Sequence, residues 1–212
     1  MEKDLGLPII SNTNLISDDE IEKDDNILIK QVIEPNKQKI LMLMSGGIDS
    51  PVASYMLIRA GYFVDFIHFT TDIDKINNII DIKKILGQNN KLFVVNFKNI
   101  QEEIVKTCKE SYRTIMYKVF MVLIANKIAD TNYVGLATGN ALGQVASQTI
   151  SNIHNTNLVS KLPIISPLFS YNKNDIIKID IEIGTYKPSI CDGTNDCCVM
   201  YMPKHPVINS KY

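Results

Sequence analysis

Long hydrophobic runs are missing from this sequence of 212 residues. A helix that crosses a membrane needs about 18 or more consecutive apolar residues, and no stretch of the chain reaches that length. The first residues are charged and have neither an apolar core nor a cleavage site, so no signal peptide is predicted. These absences argue against a membrane protein, and we expect a cytoplasmic one.

Cysteine is scarce, with four residues at Cys108, Cys191, Cys197 and Cys198. Two adjacent cysteines make a poor disulfide framework for a chain with intracellular features. The pattern therefore favours a metal, cluster or catalytic role for the thiols around residue 197. Cys108 lies among apolar residues of a predicted helix, which is typical of a buried and unreactive thiol.

Net charge gives no clear functional signal, because 22 basic and 23 acidic residues leave a formal charge of −1. The distribution is uneven. Residues 1–38 hold 4 lysines and 9 acidic residues, a net −5, whereas the rest holds 18 basic and 14 acidic residues, a net +4. We interpret residues 1–38 as an acidic tail or linker, and residues 39–212 as one domain long enough for an adequate core.

Strand and helix signals alternate from residue 39 onward. Apolar runs predict strands at residues 39–44, 63–69, 92–97 and 133–138, and a short strand or extended edge at 162–168. Helical patterns fall at residues 52–60, 75–86, 100–130 with a break near Arg113, within 140–151, and at 173–183. This alternation predicts an α/β fold with a doubly wound, mostly parallel sheet and helices on both faces. In such folds ligands bind outside the carboxyl ends of the strands.

The segment Ser45-Gly46-Gly47-Ile48-Asp49-Ser50 follows the first predicted strand directly. Two glycines permit a tight turn, Ser50 can cap a helix, and Pro51 suits the first helical position. A strand, a glycine turn and a helix N-terminus point backbone N–H groups at an anion, usually a phosphate. The Walker loop is excluded, because that motif needs a Gly-Lys pair and none occurs in the chain.

This segment resembles the pyrophosphate loop (PP-loop) of ATP pyrophosphatases, which cleave ATP between the α- and β-phosphates. Further segments, in the same order along about residues 39–207, resemble the catalytic domain of the tRNA 4-thiouridine synthetase (ThiI) family. They are residues 45–53, 112–117, 138–149, 183–186, 196–198 and 203–206. The stretch Gly143-Gln144-Val145-Ala146-Ser147-Gln148-Thr149 is highly specific to that family. The resemblance implies a PP-loop, adenine nucleotide alpha hydrolase-like fold.

The resemblance also implies an activity. Members of the family adenylylate O4 of a tRNA uridine with ATP and release pyrophosphate, and persulfide or sulfide sulfur then displaces AMP to give 4-thiouridine. The implied partners are tRNA and a persulfide donor (a cysteine desulfurase) or sulfide. Mg²⁺ is the implied ion, with Asp49 holding its shell or fixing the loop.

Site residues carry over onto matching positions. Pyrophosphate would be cradled by Ser45, Gly46, Gly47, Asp49 and Ser50. The nucleotide pocket would include His68 and Phe69 near the adenine, together with Thr138, Gly139 and Gln144. Arg113 would contact the ATP phosphates or tRNA, Lys173 would serve adenylylation, and Cys197 would handle sulfur, with the adjacent Cys198 as its substitute.

Each of these assignments has an alternative. His68 could be a core histidine, Arg113 a structural salt-bridge partner, Lys173 a surface lysine, and Gln148 a residue that only holds the loop. The three thiols Cys191, Cys197 and Cys198 could instead bind a [4Fe–4S] cluster, although their spacing is not the usual C-x2-C.

Family members carry an N-terminal RNA-binding region with a THUMP domain, and residues 1–38 are too short for one. Three explanations stay open: a separate THUMP-type protein helps to bind tRNA, the substrate is different, or the chain is a fragment or minimal form. The resemblance also implies a homodimer. The mildly basic body fits tRNA binding and fits a solvated surface equally well. Two other functions stay open: sulfur delivery to a small molecule, as in thiazole formation for thiamine, and a non-catalytic ATP-binding subunit.

Overall fold

The computed structural model describes residues 38–87, 89–191 and 203–210. The strands are β1 Lys39–Leu43, β2 Phe63–Thr70, β3 Leu92–Asn96, β4 Gly135–Thr138 and β5 Ile164–Ile165. The helices are α1 Asp49–Arg59, α2 Asn77–Leu86, α3 Lys98–Thr107, α4 Arg113–Ala129, α5 Ile150–Asn157, α6 Lys173–Glu182 and α7 Tyr186–Ser189. Short 3₁₀ turns occupy Glu110–Tyr112 and Ala146–Gln148. The predicted tail, apart from Gln38, lies outside the described residues, as do Cys197 and Cys198.

The described strands form a five-stranded sheet in the order β3-β2-β1-β4-β5, and every pairing is parallel. The chain builds outward from β1 to β3 and then crosses to the other side of β1 to add β4 and β5. The order therefore reverses between β1 and β4, where Leu43 pairs with Thr138 at the carboxyl ends. A doubly wound sheet is confirmed, and this reversal is where such folds open a crevice for ligands.

Alternate residues of the strands feed two separate cores. Ile40, Met42 and Phe66 face α1, α2 and α6, whereas Leu41 and Ile67 face α3 and α4. Burying each such side chain stabilises the fold by about 1.5–3 kcal/mol, so both faces must be covered. Helices on both faces, as predicted, are confirmed, and the near-continuous apolar strands have this cause.

One predicted feature of the helices is confirmed and one is wrong. The break near Arg113 is confirmed, since α3 ends at Thr107 and α4 begins at Arg113. The helix predicted within residues 140–151 is wrong in position, because that stretch is a loop with one 3₁₀ turn and α5 begins only at Ile150. Thr149 sets this start, since its hydroxyl accepts a hydrogen bond from the Asn152 N–H. Gly143, with φ of 74°, breaks the helical path earlier.

A buried carboxylate fastens the opposite, amino-terminal edge of the sheet. Asp65 in β2 accepts a hydrogen bond from the Lys91 N–H at 2.6 Å and another from the Tyr133 hydroxyl at 2.8 Å. Lys91 leads into β3 and Tyr133 leads into β4, so one side chain ties three strands together. Burial raises the pKa of Tyr133, and its hydrogen bond to the Asp65 carboxylate and the charge of that carboxylate raise it further.

Within the described ranges, none of the helices has both the length and the apolar character that crossing a membrane requires.

Candidate active site

A cavity of about 340 Å³ opens at the carboxyl ends of β1 and β4. The end of β1 and the glycine loop contribute Leu43, Met44, Ser45, Gly47, Asp49 and Ser50. The end of β4 and the loop after it contribute Thr138, Gly139, Asn140, Val145, Ser147 and Gln148. Phe69 from β2, Thr114, Lys118, Met121 and Val122 from α4, and Thr156 and Asn157 from α5 complete the wall. Its size is that of a small-molecule site.

The serines of the glycine loop close the loop on itself. The Ser45 N–H donates to the Ser50 Oγ at 3.0 Å, and the two Oγ atoms lie 3.0 Å apart. Ser50 therefore does not cap α1 as predicted. Instead α1 begins at Asp49, one residue before Ser50. No side chain of the described residues caps this helix, so its first N–H groups still point outward. That arrangement suits an anion.

Two positions of the site are occupied by glycine for different physical reasons. A Cβ added at Gly47 would meet nothing closer than the Ser45 Oγ at 3.9 Å, and the φ of Gly47 is not positive. The protein itself does not demand glycine there, and the open space lies toward the cavity. A Cβ at Gly139 would lie 2.7 Å from the Ser50 backbone N, so Gly139 lets the end of β4 approach α1.

An ion pair joins the first residues of two helices at the rim. The Lys173 Nζ at the start of α6 lies 2.8 Å from the Asp49 Oδ1 at the start of α1. The side chains are 46% and 23% exposed, so both can reach a ligand. Two of the predicted catalytic residues are thus brought together, although they are 124 positions apart in sequence.

Asp180, on α6, is the buried neighbour of this pair. It is fully buried, and the Thr185 hydroxyl donates a hydrogen bond to its Oδ1. Burial raises the pKa of Asp180, and the hydrogen bond from Thr185 lowers it. The negative charge of Asp49 raises this pKa, and the positive charge of Lys173 lowers it. The sequence reading did not single out this carboxyl group.

His68 and Phe69 lie near the end of β2, on opposite faces of the sheet. Phe69 lines the cavity and packs edge-on against Phe97. His68 is buried away from the cavity, and its Nδ1 donates to the Met44 carbonyl at 2.9 Å. The geometry fits the core alternative for His68, whereas Phe69 stays a candidate for contact with a base.

Arg113 and Gln144 lie outside the cavity wall. The Arg113 guanidinium donates to the Val105 carbonyl at 3.2 Å, near the C-terminal end of α3, where a positive charge is favourable. This contact holds α3 against α4 and is not the salt bridge considered as the alternative. Gln144 belongs to the loop after β4, but its side chain does not line the cavity. Their predicted ligand contacts remain untested predictions.

Lys118 is a wall residue that sequence reasoning missed. Its Nζ donates to the Asn140 Oδ1 at 3.3 Å, so it joins α4 to the loop after β4. Thr114, Lys118 and Val122 recur at helical spacing. A lysine on the otherwise apolar face of α4 was the available signal.

Of the three thiols proposed for a cluster, only Cys191 lies in the described part of the chain. It is exposed just after α7, and its Sγ donates to the Lys187 carbonyl at 3.2 Å. Among the described residues, no three His, Cys, Asp or Glu side chains come together as a metal site. Cys108 follows α3 and is only partly buried. Burial raises the pKa of its thiol, and the charge of Arg113 lowers it.

The parallel sheet, the glycine loop at its reversal point and the uncapped helix after it define the class of PP-loop proteins. The family model described as "Thiamine biosynthesis protein (ThiI)" matches residues 36–212. The chain therefore belongs to the ThiI family.

Curated relatives agree with this membership. A "Probable tRNA sulfurtransferase" of Coxiella burnetii is 43% identical over 180 residues, covering 81% of this chain and 45% of its own. Another of the same description, from Caldanaerobacter subterraneus subsp. tengcongensis, is 41% identical over 182 residues, covering 82% of this chain and 47% of its own. The chain thus spans about half the length of the curated relatives it matches.

Solved structures share the fold. A 4-thiouridine synthetase in complex with RNA and with bound ATP superposes with a TM-score of 0.76 at 34% identity, covering 82% of this chain and 47% of that one. An NMN synthetase from Francisella tularensis, at 13% identity and a TM-score of 0.51, covers 76% of this chain and 71% of its own and shows the fold alone.

Proposed function

We propose that this chain is the ATP-dependent, adenylylating catalytic domain of a tRNA uridine 4-sulfurtransferase. One observation carries the proposal: the cavity at the sheet's reversal point joins the glycine loop to the Asp49–Lys173 pair. It does so in a chain that is 34% identical to a 4-thiouridine synthetase that holds both RNA and ATP.

The residues present fit ATP. The uncapped first turn of α1 offers N–H groups to a phosphate, and the open space at Gly47 lets a phosphate approach the backbone. Thr138 adds a hydroxyl at the facing wall, hydrogen-bonded to Ser166 at 3.0 Å. We assign the pyrophosphate to the loop of residues 45–50 and the rest of the nucleotide to the wall made by Phe69, Thr138 and Gly139.

Asp49 is the carboxylate among the described wall residues, which fits a Mg²⁺ ion held by one carboxylate and by substrate phosphates. Such an ion, when bound, would neutralise charge on the phosphates. No cluster is used in this proposal.

We propose the following chemistry for this site. Uridine O4 attacks the α-phosphorus, the bond from that phosphorus to the β-phosphate oxygen breaks, and pyrophosphate leaves with the electron pair. Lys173 has three donors, so it can keep Asp49 and still stabilise the charge that develops on the phosphates. Sulfide sulfur next adds to C4 of the uridine, and AMP leaves with the former O4. When the donor is a persulfide, we propose that the Cys197 thiolate, with Cys198 as the substitute, takes its outer sulfur and releases the donor as a thiol. That outer sulfur attacks C4 as AMP leaves. A thiol reductant then cleaves the S–S bond, which frees 4-thiouridine and leaves Cys197 as a mixed disulfide that a second thiol reduces.

The partners are part of the proposal. The RNA is tRNA, and a cysteine desulfurase or free sulfide supplies the sulfur. A separate THUMP-type protein and a second copy of the chain are the further partners that we propose for binding tRNA.

A small-molecule acceptor is the second candidate, because the family description names thiamine biosynthesis. In that case ATP cleavage would not depend on tRNA.

The deciding experiment incubates anaerobically purified protein with ATP, bulk tRNA and sulfide, and follows AMP and the absorbance of 4-thiouridine in the tRNA. We expect both products. Lys173→Ala should lower AMP formation about 100-fold or more, because a charge near the leaving group is lost. Lys178→Ala is the matched control on the same helix, since Lys178 is 77% exposed and pairs only at the surface with Asp175. It should change AMP formation by less than about twofold.

A second pair of variants tests sulfur handling with a persulfide donor. Cys197→Ser should abolish thiolation and leave the release of pyrophosphate from ATP intact, whereas Cys108→Ser should change neither. Iron measured in the same preparation tests the cluster alternative. AMP without any dependence on tRNA would favour the small-molecule acceptor, and ATP binding without AMP, with or without an added RNA-binding partner, would contradict the proposed reaction.

A further inference from the structure

Gln148 has a hydrogen-bond acceptor that the described residues leave unused. Its side chain lines the cavity and is only 9% exposed. The Oε1 atom is buried and has no hydrogen-bond partner among the described residues. A buried acceptor without a partner lowers the stability of the folded state, and such atoms are rare in native proteins.

Backbone hydrogen bonds fix the main chain of Gln148 at the cavity. The Gln148 N–H donates to the Val145 carbonyl at 2.8 Å, and the Gln148 carbonyl accepts from the Gly143 N–H at 3.0 Å. These bonds hold the 3₁₀ turn at Ala146–Gln148 against the rim of the cavity.

Asn152 anchors the same turn from behind. It is fully buried, and its Nδ2 donates to the Ala146 carbonyl at 2.7 Å and to the Val207 carbonyl at 2.9 Å. Its Oδ1 accepts from the Ser210 N–H at 3.0 Å. The turn is thus bonded to α5 and to residues 207–210 at once. Several hydrogen bonds therefore hold this turn at the cavity, while the Gln148 Oε1 has no partner among the described residues. This arrangement points to a ligand that bonds to the Oε1.

We infer that Gln148 determines specificity by accepting, at Oε1, a hydrogen bond from a base N–H of the bound substrate. The inference rests on the proposed function. Two sources carry this chemistry: the amino group of adenine and the N3–H of uracil. Gln38 is the internal comparison, because it is the same residue type but is exposed just before β1 and does not line the cavity.

The test compares Gln148→Met, Gln148→Glu and the matched control Gln38→Met. Dissociation constants are measured for ATP and for inosine triphosphate, which has a carbonyl in place of the amino group. If adenine is the donor, the wild type prefers ATP about tenfold or more, Gln148→Met removes the preference, and Gln148→Glu retains it because a carboxylate still accepts. If uracil is the donor, both nucleotide affinities stay the same and Gln148→Met raises the KM for tRNA about tenfold.

Thermal unfolding of the ligand-free protein gives a readout without any substrate. Gln148→Met should not lower the melting temperature, since it removes an acceptor that has no partner in the folded state. A clear decrease would show that the atom is bonded within the protein and would overturn the inference. It is also overturned if the wild type is active and Gln148→Met loses no more discrimination or tRNA affinity than Gln38→Met. A wild type that neither binds ATP nor thiolates tRNA would instead contradict the proposed function, and the inference with it.

Discussion

Two aspartates at opposite edges of the same sheet show how one residue type can serve two purposes. Asp65, at the amino-terminal edge, is 6% exposed, and both of its oxygens accept hydrogen bonds from groups of the protein. Asp49, at the carboxyl edge, is 23% exposed and pairs with a lysine that is itself half-exposed. The first carboxylate is fully used by the fold, and the second is left within reach of a ligand.

The difference teaches where to look for stability and where for chemistry. A carboxylate whose partners are buried stabilises the structure, because removing it leaves those partners unbonded. A carboxylate in an exposed pair contributes little to stability, so its presence at the cavity needs another reason. We therefore expect the loss of the carboxylate to affect mainly activity at Asp49 and mainly stability at Asp65.

Asp49→Asn should have the largest effect, and it should fall on activity. We expect AMP formation to fall about 100-fold to 1000-fold, because the carboxylate that would hold Mg²⁺ and orient Lys173 is lost. The free energy of unfolding should change by less than about 1 kcal/mol, since the pair is partly exposed. Steady-state assays and urea unfolding measure the two quantities.

Asp175→Asn is the control for this prediction, because Asp175 also pairs with a lysine of α6 but lies outside the cavity wall. AMP formation by Asp49→Asn that stays within about tenfold of the wild type would contradict the role assigned to Asp49.

Asp65→Ala should show the reverse pattern. We expect the free energy of unfolding to fall by about 2–3 kcal/mol, because the Tyr133 hydroxyl and the Lys91 N–H lose their acceptor. The ATP affinity of the protein that remains folded should stay within about twofold of the wild type, since the site lies at the other edge of the sheet. Urea unfolding and nucleotide titration are the measurements.

Asp81→Ala provides the comparison for this variant, as Asp81 is exposed and pairs only with Lys84 on the surface of α2. If both variants unfold at the same urea concentration, Asp65 does not fasten the strands.

This contrast also separates what the sequence could reveal from what it could not. The glycine loop and its flanking strand and helix are contiguous, so local patterns predicted their type and their place at the carboxyl edge. The partners Asp65 and Tyr133 are 68 positions apart, and only the sheet, which places β2 and β4 on either side of β1, brings them together. No periodicity or motif contains that information.

The candidate site divides in the same way. Lys173 and Asp49 were predicted through family resemblance, but their contact across two helix starts is a property of the packed fold. Lys118 was missed because a lysine within a mostly apolar helix can have the same spacing as a core residue. Ser50 was predicted as a helix cap from its residue type. Its hydroxyl instead contacts Ser45 within the loop.

Gly139→Ala tests whether ATP binding at the carboxyl edge of the sheet depends on close packing as well as on charge. The added Cβ would lie 2.7 Å from the Ser50 backbone N, so the start of α1 has to move. We expect ATP affinity to fall about tenfold, because the N–H groups offered to the phosphates shift. Isothermal titration with ATP measures this loss.

Gly47→Ala is the companion variant, since its Cβ would meet no protein atom closer than 3.9 Å. It should melt like the wild type but still bind ATP more weakly, because its methyl group would occupy the space that the phosphates need. Equal ATP affinity in Gly47→Ala and the wild type would mean that phosphates do not approach this backbone.

The smallest effect that we predict is a pH dependence confined to the buried edge. In the unfolded chain a tyrosine loses its proton near about pH 10. Burial and the Asp65 carboxylate raise the pKa of Tyr133 above that value, so the folded state keeps the proton to higher pH. The stabilisation by the neutral hydroxyl is therefore complete below about pH 10 and is lost as the pH rises through the folded-state pKa.

Tyr133→Phe should accordingly lower the free energy of unfolding by about 1 kcal/mol at neutral pH, because one Asp65 oxygen loses its donor. Above about pH 10 the gap between the two proteins should close, since only the wild type loses this contribution. Urea unfolding measured between about pH 8 and pH 11 follows the gap, and other titrating groups affect both proteins alike. Curves that stay parallel over this range would show that the Tyr133 hydroxyl ionises as readily in the folded protein as in the unfolded chain. The hydrogen bond between Tyr133 and Asp65 would then not be the stabilising interaction that we contrast with the exposed Asp49 site.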